Sequence, residues 1–74
     1  MEAYKKLAIE ASLTKINKEI KLSEKSEERI VNVLEDYSET KCVESTLKKF
    51  PMSDVAKEIM KKAILFYNEF NESN

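Results

Sequence analysis

The chain has 74 residues, 36% of them charged with a formal net charge of −1, and it contains one cysteine, one proline, no histidine and no glycine. The balanced charge excludes a polybasic or polyacidic surface. The lone cysteine and missing histidine exclude an internal disulfide and the usual four-ligand zinc sets. Without glycine there is no phosphate-cradling loop and no dinucleotide fingerprint, and hairpin-rich β folds are disfavoured.

A chain this short buries only about 60% of the surface its unfolded form exposes, and such a core supplies no more than about 3–5 kcal/mol. With neither disulfide nor metal to help, a partner subunit is the remaining support. No run of about 18 apolar residues is present, and Met1-Glu2-Ala3-Tyr4-Lys5-Lys6 lacks the apolar core of a signal peptide, so a cytoplasmic location is expected. The composition predicts an all-α single domain over 1–74. It is read as a small bundle of three principal helices, the second kinked or split, completed by dimerisation.

The first segment, from Glu2 to Lys21, has no helix breaker, and its Ala, Leu, Lys and Glu favour helix. Ile9, Leu13, Ile16 and Ile20 form a seam at steps of four, three and four. Tyr4, Leu7 and Ala11 fall on nearly the opposite side of the same helix. One helix cannot turn both sets into one small core, so this second patch is a candidate interface with another chain.

Ser23-Glu24-Lys25-Ser26 interrupts the pattern, and Ser26 followed by Glu27 and Glu28 predicts an N-cap with an acidic first turn. Ile30, Val33, Leu34 and Tyr37 give the second helix a compact apolar face, and Glu27, Glu28, Glu35, Asp36 and Glu39 make its outside acidic. The phase breaks after Tyr37. A kink or loop is expected near residues 38–41, then a short helix over 40–49 with Cys42 or Val43, Leu47 and Phe50 inward, ended by Phe50-Pro51. Cys42 is read as a small apolar residue near the core.

The last helix starts after Pro51 with Ser53 as N-cap and Asp54 at the positive end of the helix dipole. Val55, Ile59, Ala63, Phe66 and Phe70, at steps of four, four, three and four, predict its core face, with Met60 and Tyr67 flanking. Ile64 and Leu65 fall off that stripe and are expected to be surplus apolar surface. Residues 71–74 are polar and predicted to fray.

Two functional readings follow, neither of them enzymatic. Catalysis lacks its usual groups, since no Ser-His or Cys-His pair can form and the paired carboxylates read as a solvated acidic face. No cofactor, metal or small-molecule substrate is expected, and the aromatic cluster Phe50, Phe66, Tyr67 and Phe70 reads as core rather than as a pocket. The first reading is a protein–protein interaction module (regulator, adaptor or inhibitor) that binds itself or another protein through Tyr4, Leu7, Ala11, Ile64 and Leu65. The alternative is a helix-turn-helix-like DNA-binding regulator with Lys48, Lys49, Lys57, Lys61 and Lys62 on phosphate. That alternative has only Arg29, in the acidic helix, against the arginine usually favoured for base readout.

Overall fold

In a computed structural model the described residues are 2–73, with side chains described for 5–72, and they form helices joined by short turns. The order is α1 (Glu2–Glu19), α2 (Glu24–Thr40), α3 (Val43–Lys49) and α4 (Asp54–Ser73), with no strand among the described residues. The fold is all-α, and no described helix is long and apolar enough to cross a membrane.

The turns explain the helix boundaries. Ser23, rather than Ser26, caps α2: its Oγ accepts the Ser26 backbone N–H at 3.3 Å, and Glu24 and Glu27 supply the acidic first turn. Asn17 braces the same turn, donating from Nδ2 to Glu27 Oε2 at 2.8 Å and accepting the Leu22 N–H on Oδ1 at 3.3 Å. The expected break after Tyr37 falls at Lys41, which closes α2 in the left-handed conformation (φ 57°) and returns its N–H to the Tyr37 carbonyl at 2.7 Å. With no glycine in the chain, a lysine fills a position where glycine is the ordinary choice, at a cost of about 1–2 kcal/mol. The start of α4 follows the sequence, with the Ala56 N–H donated to Ser53 Oγ at 3.3 Å. Its end does not, since α4 stays helical through Asn71 and Glu72 to Ser73.

Helices α1 and α4 share the longest contact, and α2 packs across both while α3 covers the far end of α2 and touches α4. Ion-pair and groove partners, Glu19 with Lys62 and Ala11 with Phe70, show that α1 and α4 run antiparallel. The Cα radius of gyration, 11.3 Å, equals the value of about 11 Å expected for a compact chain of this length.

The core comprises Ala8, Ile9 and Ile16 of α1, Ile30, Val33, Leu34 and Tyr37 of α2, and Met60, Ala63, Ile64 and Tyr67 of α4. The α2 face is the one its spacing predicts. The α4 face is not: it is rotated by about a quarter turn from the expected stripe, so Ile64 is buried at 3% exposure and Val55 stands out at 73%. The reason is that Met60, Ile64 and Tyr67 also recur at four and three, and with Ala63 they form the arc that can meet α1, α2 and α3 together. Tyr67 stacks edge-on against Tyr37, ring centroids 6.1 Å apart, and Asn68 Nδ2 donates to the Tyr37 hydroxyl at 3.0 Å.

Candidate interaction surface

Large exposed hydrophobic side chains occur on only two of the helices. They are Leu7 at 57%, Val55 at 73% and Leu65 at 56%, on α1 and α4, whereas the described residues of α2 and α3 expose none. Between them run two shallow grooves along the antiparallel pair. Ala11, Lys15, Phe66, Glu69 and Phe70 line one; Ile20, Ile59, Lys62 and Leu65 are among those lining the other. Of the stripe expected to be core, Ala63 is buried as predicted, and the rest, Val55, Ile59, Phe66 and Phe70, make the margin of the fold. Three of its members are half-buried and packed against the core, and the fourth is open.

Polar contacts edge this margin without closing it. The Lys15 ammonium lies 4.9 Å above the centre of the Phe66 ring, a cation–π contact that shields one face of the aromatic. Lys62 Nζ reaches Glu19 Oε2 at 3.3 Å across the two helices, with both groups largely in solvent, so the pair adds little stability.

The five residues singled out as an interface separate into three groups. Leu7 and Leu65 are exposed and Ala11 is half-buried in the groove with Phe66 and Phe70. Ile64 is corrected from surface to core, because the arc that packs inward is centred between Ala63 and Ile64. The Tyr4 side chain lies outside the described residues. Val55 was missed as a surface residue; its position beside Asp54 in the first turn of α4, ahead of the Met60–Ile64–Tyr67 arc, is the signal that would have found it.

The lysines proposed for phosphate are spread over two helices and are partly engaged. Lys49 donates to Asp36 Oδ1 at 2.9 Å, Lys61 lies 3.8 Å from Glu58, Lys62 pairs with Glu19, Lys48 is exposed and Lys57 is half-buried. Helix α3 has seven residues, and the helix that would read DNA opens on Asp54, with Glu58 one turn on.

Asp36, expected on the solvated acidic face of α2, belongs to a network of side-chain bonds instead. Thr46, fully buried, donates from Oγ1 to Asp36 Oδ2 at 2.8 Å and sits 3.1 Å from Thr40 Oγ1, while Lys49 holds the other carboxylate oxygen. The Lys49 bond first, then the Thr46 bond, holds the Asp36 carboxyl below its ordinary pKa, against a smaller opposing push from burial. This network fastens α3 to α2. Cys42, expected near the core, is instead exposed as the N-cap of α3, where the Lys41 turn leaves it in solvent.

No protein-family model matches the chain, no curated protein resembles it significantly in sequence, and no solved structure matches its fold.

Proposed function

We propose that this protein is a small helical protein-binding module that works as a homodimer, with the outer α1–α4 face as its contact surface. One observation carries the reading: Leu7, Val55 and Leu65, the large exposed hydrophobics of the described residues, all lie on the one antiparallel helix pair. Single exposed hydrophobics are ordinary on protein surfaces, but their restriction to one pair, with half-buried Ala11, Ile59, Phe66 and Phe70 between them, makes a face rather than a scatter.

A two-fold mate fits that face. Laying α1 and α4 of one protomer on those of its partner gives a four-helix layer in which the same patch meets itself. Each leucine fully covered would contribute about 1.5–3 kcal/mol, a large addition to a core of this size. The acting species is then a regulator, adaptor or inhibitor in the cytoplasm, a reducing setting that keeps the exposed Cys42 thiol from cross-linking chains.

Sedimentation velocity across the micromolar range tests this. A dimer is expected, reduced to monomer by Leu7→Asp or Leu65→Asp with helicity retained by circular dichroism. A strict monomer throughout the range, or a dimer indifferent to both substitutions, overturns the reading.

A further inference from the structure

The buried apolar core of the described residues is drawn from α1, α2 and α4, and α3 contributes nothing to it. The one buried residue of α3 is Thr46, a polar side chain. Val43 and Leu47, with Phe50 just beyond, are only partly covered where they pack against that core. The three long helices therefore keep their own interior whether or not α3 lies on them.

Little inside α3 holds it helical. Its seven residues fall well short of the roughly 12–15 that a helix needs to be stable alone in water, so its form is imposed by what it rests on. Cys42 caps its start without a side-chain hydrogen bond, and Phe50 ends it at φ −118° and ψ 84°, outside the left-handed closure that satisfies the last carbonyls of a helix. Both flanks have the form of hinges. Lys41 holds the left-handed conformation (φ 57°) without being glycine, a strain that release of α3 relieves, and residues 51–53 on the other side belong to no helix. What fastens α3 is polar. The Asp36 carboxylate accepts the Thr46 hydroxyl at 2.8 Å and the Lys49 ammonium at 2.9 Å, both from α3, and Thr40 Oγ1 lies 3.1 Å from Thr46 Oγ1. Such bonds exchange for bonds to water at small net cost, whereas buried hydrocarbon has no such substitute.

We propose that α3 is a hinged cover that opens as a unit, about Lys41–Cys42 and residues 51–53, on a folded body of α1, α2 and α4, with Asp36 as the latch that keeps it shut. Each opening bares Val43, Leu47 and Phe50 and the part of the core they pack against, an apolar surface hidden in the closed chain. Leu7, Val55 and Leu65 lie outside the moving segment, so this inference does not rest on the dimer.

Native-state hydrogen exchange on the full chain, followed amide by amide by NMR as urea is raised below the unfolding transition, tests it. Thr46 is fully buried and its N–H is bonded to the Cys42 carbonyl at 3.1 Å, so in a chain that opens only as a whole its amide is protected as well as those of Leu34 and Ile64. A hinged cover instead gives Thr46, Leu47 and Lys49 one shared opening, at least about tenfold more frequent than that of Leu34 and Ile64 and with a smaller dependence on urea. In Asp36→Ala/Thr46→Val the α3 amides should lose their protection while Leu34 and Ile64 remain protected by at least about tenfold more. Equal protection and urea dependence for Thr46 and Leu34 in the wild-type chain, or unrelated opening frequencies within α3, overturns the proposal. So does a double variant in which α3 and the core lose protection together, or in which α3 keeps it.

Discussion

The corner where α2 meets α3 and the seam where α1 meets α4 are held by different chemistry. At the corner, directional bonds do the fastening: Thr46 and Lys49 divide the two oxygens of Asp36 between them, and Thr40 sits beside Thr46. At the seam, small side chains do it. Ala8, Ser12 and Ala63 are fully covered and let the helices approach, and Ser12 satisfies its hydroxyl inside its own helix on the Ala8 carbonyl at 2.8 Å. Directional bonds fix one geometry and leave little to add. Non-directional burial can be extended by any apolar surface of suitable shape, and at the seam the outer arc of α4 is still open. The difference locates the place where a partner would add stability.

The largest effect should separate the two faces of α4. Ile64→Ala removes a fully packed side chain and is expected to cost about 2–4 kcal/mol in urea unfolding, whereas Leu65→Ala, one residue on, should stay within about 0.5 kcal/mol under conditions where the protein is monomeric. Equal costs at the two positions would mean that the inward arc of α4 is not the one made by Met60, Ala63, Ile64 and Tyr67.

That neighbouring pair also shows what a sequence of this kind discloses. The α2 face was fully legible because Ile30, Val33, Leu34 and Tyr37 are the helix's main apolar residues and a single orientation hides them. Ser53 and Asp54 marked the start of α4 for the same local reason. The orientation of α4 was not legible, since apolar residues occupy most of its circumference and at least two stripes satisfy helical spacing; packing against three other helices chooses between them. The competition between Ser23 and Ser26 as cap was a local near-tie, each being followed by a glutamate. The Asp36–Thr46 bond depends on the turn at Lys41, which brings residues ten apart together and has no signature in side-chain periodicity. At the candidate surface, Leu7 and Leu65 could be picked out as surplus to a helix face, while Ile64 and Val55 exchanged places with the rotation of α4.

A smaller effect should distinguish the corner's hydroxyl from the seam's. Thr46→Val keeps the shape and deletes the donor to a carboxylate, with an expected cost of about 1–2 kcal/mol. Ser12→Ala deletes a hydroxyl that serves only its own helix and should cost less than about 0.5 kcal/mol. If the order is reversed, the corner is not fastened by its polar network.

The smallest effect is a dependence on acid. The Asp36 carboxyl titrates below its ordinary value of about 3.9 in the folded chain, chiefly because Lys49 and then Thr46 donate to the ionised form. Between the lowered folded value and the ordinary unfolded one, the unfolded chain binds more protons, so stability falls as pH falls through this interval. The contribution is complete above the unfolded value and lost once the pH has dropped through the folded one. Asp36→Asn removes the titration while retaining an amide oxygen that can accept from Thr46 or Lys49. In urea titrations from pH 7 to pH 2.5 the wild-type chain should be the more stable at neutral pH, and the gap to Asp36→Asn should narrow below about pH 4. A gap that stays constant across the range would mean that the Lys49 and Thr46 bonds do not favour the ionised carboxylate.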